Sequence, residues 1–491
     1  MKDCLSLILV FFFTITFNGC SPKNKIEIQN LDLNIPTEWS FPIHNNVEST
    51  TDWWTHFNNP YLDTFLSDVK DYSPDFKTLL QNQKISLNNA KVLGANILPS
   101  ISANINSSES VQNLSAFGFA DSFLSPTNTD TTGQVTSTNS EVISFENKIY
   151  GLGINYQWEI DIWGRLLNER RAAKTDYEAI QHDLSYMGFS ILVRSAILYF
   201  QGVEAAAQVA LSQESYESLI EIRDLVKERY EKGLRSSLDY RLSETSVSTA
   251  ILENESRKNQ LSYFNRRLQT TLGKYPSGKF LEENKLPDNL PDIPGIVPAS
   301  ILKKRPDIQS LLLKIEASGY RIAQAKRNLL PGLFLSGSVG TSAKNYEDIL
   351  NDDFGIWNLG LNVSVPLFNG NRLRSNLKIQ EASFEKSKQD LKKGLLQAFS
   401  EVEQLLQIDQ SLVRQIQAIK FAEEQSSDAY NLSKERYDKG VTTLESVLNS
   451  QRQYNSIRSQ NLILQRQSIE NRLNLFLAIG GDFNFNPMKN N

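Results

Sequence analysis

The sequence predicts a mainly α-helical chain that also carries strands of a membrane β-barrel, and three observations lead there. The first is an internal repeat. Lys227-Glu228-Arg229-Tyr230-Glu231-Lys232-Gly233 returns 207 residues later as Lys434-Glu435-Arg436-Tyr437-Asp438-Lys439-Gly440, and the same offset pairs Leu152-Gly153-Ile154-Asn155 with Leu359-Gly360-Leu361-Asn362. A register kept over that distance implies two structural copies. The second observation is a pair of segments with period-two polarity. The third is a pair of proline-free helical stretches too long for a globular core.

In chain order, residues 1–19 read as a signal peptide: Leu5 to Phe17 is almost wholly apolar, with the length of a signal core rather than a membrane span. Phe17-Asn18-Gly19-Cys20 then resembles a bacterial lipobox, so Cys20 is predicted to be acylated as the new N-terminus, anchoring the chain to outer-membrane lipid. No cofactor is expected beyond that covalent N-acyl and diacylglycerol lipid. Residues 20–73 form the lipidated N-terminal and equatorial segment. Downstream there is no apolar run of roughly eighteen residues, so a membrane crossing has to be made of strands.

The first repeat spans 74–279 and the second 306–480, joined by a linker over 280–305 and followed by a tail over 481–491. Each copy begins with a helix, about Pro74 to Leu98 and Pro306 to Leu330, that a proline ends. Strands follow at 99–108 and 150–161, and at 331–341 and 357–367. In 150–161, Tyr150, Leu152, Ile154, Tyr156, Trp158 and Ile160 share one parity, against Gly151, Gly153, Asn155, Gln157, Glu159 and Asp161 on the other. The stretch from Glu109 to Lys148 is rich in Ser, Thr, Asn and Gly and reads as a solvated loop facing the cell exterior. By themselves, these strands fit a soluble sandwich as well as a membrane barrel.

Long helices are expected over Leu166 to Glu231 and Leu373 to Asp438, each about 100 Å long. Gly233 and Gly440 end them at tip turns over 231–239 and 438–446, and return helices run over Leu238 to Leu272 and Leu444 to Ile479. Each return helix is too short to match the long one, so it is expected to stack end to end with the helix that opens its repeat. Helices alone would suit a lipid-anchored periplasmic coiled-coil scaffold without channel activity. Such a scaffold has no use for proline-initiated strands with apolar faces. Four strands cannot close a transmembrane barrel, and open edges in lipid cost several kcal/mol per unpaired group. Closure needs two or more copies; three would give twelve strands.

A net charge of −5 without a basic block leaves no footprint for nucleic acid. His44, His56 and His182 are scattered, no nucleotide-binding loop is evident, and Glu159 with Asp161 fits a polar wall better than a catalytic pair. The chain reads as a passive conduit, not an enzyme.

The motifs Asp52-Trp53-Trp54-Thr55-His56-Phe57, Glu159-Ile160-Asp161-Ile162-Trp163-Gly164-Arg165, Arg305-Pro306-Asp307-Ile308 and Val365-Pro366-Leu367-Phe368-Asn369-Gly370-Asn371-Arg372 occur in the order seen in the outer-membrane efflux family that contains TolC and OprM. The chain resembles that family over nearly its whole length, and most closely the lipidated NodT-like branch. The resemblance implies a homotrimer whose twelve-stranded β-barrel, four strands per chain, continues into a long α-helical periplasmic barrel girdled by an α/β equatorial region. Implied partners are a periplasmic adaptor and an inner-membrane transporter of the RND type, in a tripartite system located at the outer membrane and extending into the periplasm.

The resemblance also places the gate and adaptor contact at the two tips: Tyr230, Gly233 and Asp239 on the first, Tyr437, Gly440, Glu445, Ser446 and Asn449 on the second. Tyr437 and Asp239 match the pair expected to share a hydrogen bond between hairpins. Ser446 and Asn449 stand where the family carries inward acids, with Glu445 the nearest carboxylate, so a weak cation preference is expected at the entrance.

Overall fold

The computed structural model describes residues 36–41, 53–113, 144–281, 283, 285–287, 289–293, 298 and 304–479. The predicted signal segment, Cys20, residues 114–143 of the predicted loop and the tail over 481–491 lie outside these residues, whereas 109–113 and 144–148, expected in that loop, belong to strands. The helices are α1 (Pro60–Tyr72), α2 (Pro74–Ala95), α3 (Arg165–Glu231), α4 (Ser237–Thr271), α5 (Pro306–Arg327), α6 (Arg372–Asp438) and α7 (Leu444–Ile479). The strands are β1 (Ser100–Asn113), β2 (Ser144–Ile160), β3 (Gly332–Ala343) and β4 (Gly355–Ser364).

Residues 90–174 and 318–383 form one compact unit, which holds the sheet. Its strands pair antiparallel in the order β1-β2-β3-β4, with an unbroken register from Ser100↔Gln157 to Asn113↔Ser144, Tyr150↔Ala343 to Ile160↔Leu333, and Gly332↔Ser364 to Thr341↔Gly355. The apolar parities coincide across every pairing: Ile105 faces Leu152, Ile154 faces Val339, and Val339 faces Trp357. That face is open, with Ile105 79% and Trp357 78% exposed. A soluble sandwich would bury it; this sheet leaves it uncovered. β2 starts six residues before the alternation predicts, because Phe145 to Ile149 continue the pairing with β1 although Lys148 and Glu146 interrupt the apolar parity. Lys148 bridges Glu109 and Glu146 at 2.7 and 3.0 Å, which lets charged residues extend the ladder.

The described residues within 36–89, 175–317 and 384–479 form the other unit. α3 and α6 are each 67 residues long. At 1.5 Å per residue each spans about 100 Å. One core cluster joins Trp54, Phe57, Leu62, Phe65, Phe76, Tyr199, Phe200, Leu268 and Phe476. A second collects Ile308, Ile315, Leu391, Leu395, Val402 and Leu475 along α5, α6 and α7. The end-to-end stacking of short helices is visible in both copies. Gly273, just past α4, lies so close to the first residue of α2 that an added Cβ would sit 3.4 Å from the Pro74 ring. Arg305, just before α5, donates to the Ala478 carbonyl of α7 at 3.0 Å. The helices opening each copy end three residues sooner than predicted, at Ala95 and Arg327, because the last turn before each strand is not α-helical. The compact units draw on both copies rather than following the repeat boundaries.

Candidate functional site

The two tip turns repeat each other bond for bond. In the first, Gly233 N–H donates to the Tyr230 carbonyl at 2.9 Å and Leu234 N–H to the Arg229 carbonyl at 2.8 Å. In the second, Gly440 donates to Tyr437 at 3.0 Å and Val441 to Arg436 at 2.9 Å. This double closure needs a left-handed residue at the turn, and Gly233 and Gly440 have φ of 74° and 72°. Ser236 Oγ then caps α4 by accepting from Asp239 N–H at 3.2 Å, and Thr443 Oγ1 caps α7 by accepting from Ser446 N–H at 3.3 Å. Asp239 and Ser446 are thus the same position in the two copies.

The surroundings break the symmetry. Tyr230 is 40% exposed and stacks on Tyr240, with centroids 5.4 Å apart. Tyr437 is 2% exposed and packs among Ile222, Val226, Leu444, Val447 and Leu448. Two arginines from the first tip reach it. The Arg235 guanidinium lies 4.4 Å from the ring centroid and that of Arg229 5.7 Å, while Arg235 Nη2 donates to the Tyr437 carbonyl at 3.2 Å. Arg229 also pairs with Asp438 at 3.4 Å. Behind the tip, Ser218 meets the Tyr430 hydroxyl at 3.0 Å and accepts from Gln451 Nε2 at 3.1 Å. Further along, a cavity of about 460 Å³ has a mixed lining that includes Leu211, Leu219, Leu448, Ser215, Glu253 and Gln451.

The expected Tyr437–Asp239 hydrogen bond is absent: the Tyr437 hydroxyl is buried without a hydrogen-bond partner. Asp239 stays in the first turn of its own helix, where the carboxylate suits the helix dipole. Its influence on Tyr437 is electrostatic. Burial raises the hydroxyl above its ordinary pKa; Arg235 opposes the shift and Asp239 adds to it. Arg235 with Tyr437 and Arg229 with Asp438 join the tips, contacts that matching of motifs missed.

On the second tip Glu445, Ser446 and Asn449 are all exposed. Arg452, one turn further, donates to Asn449 Oδ1. It sets a positive charge beside the position expected to lack an acid. Around the turns, Glu228 and Glu435 are held below the usual carboxylate range by hydrogen bonds from Lys232 and Lys439, again one per copy.

The chain matches the outer membrane efflux protein family over residues 65–274 and 297–481. It is 25% identical over 461 residues to the pyoverdine export outer membrane protein OpmQ of Pseudomonas putida, covering 91% of this chain and 92% of that one. It is 25% identical over 335 residues to the cation efflux system protein CusC of Escherichia coli O6:H1, covering 68% and 72%. Among solved structures, the CmeC outer membrane channel of Campylobacter jejuni superposes with a TM-score of 0.77 at 21% identity, covering 92% of this chain and 94% of that one. The family model thus matches well over half of the sequence, and the chain belongs to the outer membrane efflux protein family.

Proposed function

We propose that this protein is the outer-membrane exit duct of a tripartite efflux system, passively conducting solutes from a periplasmic adaptor and an inner-membrane pump to the cell exterior. The observation that carries this reading is the four-stranded sheet, whose β1 and β4 edges are unpaired among the described residues while its apolar face is open. In lipid both edges need partners, and the same edges of further copies supply them. Three copies close twelve strands. The efflux proteins among its relatives support the direction of transport; the cargo named for them, pyoverdine or cations, marks the range of solutes such ducts carry. The paired hairpin tips form the adaptor contact and the gate, and the Arg235–Tyr437 clamp favours the closed state. Acylation of Cys20 anchors each copy in the inner leaflet of the outer membrane.

The test is the mass of the native particle extracted in mild detergent and corrected for bound detergent. Three protomers are expected. A monomer in every mild detergent would leave both strand edges open and would overturn the duct.

A further inference from the structure

The strand registers put the even residues of β1, β3 and β4 and the odd residues of β2 on one face, opposite the apolar one. Carboxamides recur across it, at Asn104, Asn106, Gln112, Asn147, Asn155, Gln157, Asn358 and Asn362. Serines and glycines fill most of the remainder, and Ile149, Phe334 and Ile356 are its apolar members. Among the described residues the one ionisable side chain on this face is Glu159. Arg165 neutralises it with a two-pronged ion pair, Nε to Oε1 at 2.9 Å and Nη2 to Oε2 at 2.5 Å.

Two of the amides, Asn104 and Asn106, lie across glycines of the neighbouring strand. Asn155 Nδ2 donates to Asn104 Oδ1 at 2.7 Å. Asn104 lies across Gly153, where an added Cβ would meet its Oδ1 at 3.3 Å, and Asn106 lies across Gly151, where the same contact would be 2.6 Å. Glycine opposite asparagine thus gives a thin, hydrogen-bonding lining that carries no net charge.

We infer that the membrane-spanning wall of the duct is a charge-indifferent transit zone for polar solutes of either sign. This rests on the duct reading, which makes the polar face the lumen. A carboxamide offers an acceptor oxygen and two N–H donors, so it meets an anionic, cationic or neutral solute equally. A ring of like charges would attract one sign and repel the other. Any charge selection by this protein is therefore made away from the barrel wall.

The test uses intact cells carrying the full chain with Ser338→Cys or Asn358→Cys, each on the polar face, and Leu359→Cys on the apolar face. Modification rates by a cationic and an anionic methanethiosulfonate reagent are measured against a free thiol, with the unsubstituted chain as baseline. The ratio of cationic to anionic rates at both polar-face positions is expected to fall within about threefold of the free thiol. Adding Asn358→Asp, directly opposite Ser338→Cys in the register, is expected to raise that ratio by about threefold or more. A skew beyond about tenfold at both positions without the added acid would overturn the neutral wall while leaving the duct intact. Polar-face thiols silent to both reagents would overturn the duct reading itself.

Discussion

Arg235 of the first hairpin turn sits over the ring of Tyr437 at the end of the second long helix, 4.4 Å from its centroid, and donates to the Tyr437 carbonyl at 3.2 Å. One side chain from the first copy of the repeat thus holds the turn of the second. A cation–π contact and a charged hydrogen bond of this kind, partly exposed, stabilise the joined tips by about 1–2 kcal/mol.

Removing that contact should loosen the tip. In planar bilayers, Arg235→Ala is expected to raise the open fraction by about five- to thirtyfold, the equivalent of the energy lost. Unchanged conductance in an assembled Arg235→Ala protein would show that the clamp does not hold the gate.

Tyr437→Phe should behave differently, because the buried hydroxyl has no hydrogen-bond partner to lose. Its melting temperature and conductance are expected to stay at or slightly above wild type, whereas Tyr437→Ala should cost about 3 kcal/mol by emptying a packed site. A large loss in Tyr437→Phe would mean that the hydroxyl is bonded after all.

The same hydroxyl predicts an alkaline response. Its pKa is raised by burial, so the folded tip holds the proton more tightly than the unfolded chain does. Stability from this group is full below the ordinary tyrosine value of 10.0 and falls as pH rises from there towards the higher folded value. Conductance should therefore increase above pH 10, and Tyr437→Phe should remove that component.

Gly440 has a left-handed φ of 72° and open space where a Cβ would stand. The cost of Gly440→Ala is therefore one of backbone conformation, about 1–2 kcal/mol, with Gly440→Asn milder. Thermal denaturation in detergent should rank them glycine, asparagine, alanine. At Gly340 the limit is space: an added Cβ would lie 2.1 Å from the Leu152 carbonyl oxygen. Gly340→Ala should break β2–β3 pairing and abolish the assembled species on unheated gels.

Arg305 is 4% exposed and donates to Asp307 at 2.9 Å, Glu401 at 2.8 Å and the Ala478 carbonyl at 3.0 Å. Arg305→Ala empties a buried site and removes the donor to the Ala478 carbonyl at the junction of α5 and α7, while water still reaches Asp307 and Glu401, an expected loss of about 1–3 kcal/mol. Protease protection of α7 would report it.

Much of this architecture is legible in the residues because its signals are local. Proline after a helix, glycine at a turn, parity along a strand and an unbroken heptad-like run act over a few neighbours, and the repeat states each of them twice. Even the duplicated caps at Ser236 and Thr443 follow from residue type and position. The tip contact was not legible for the opposite reason. Tyr230 and Tyr437 occupy equivalent places in near-identical motifs, yet one is exposed and the other buried.

By itself, the sequence determined two copies, four strands with one polar and one apolar face, long helices ended by Gly233 and Gly440, and a chain unable to close a barrel alone. Only the tertiary structure decided that Arg235 rather than Asp239 engages Tyr437, that Arg452 stands beside Asn449, and that Asn104 and Asn106 lie across glycines of the next strand. Those pairings join residues from about fifty to two hundred positions apart or depend on one rotamer, and the packing of whole helices and the strand register settle them.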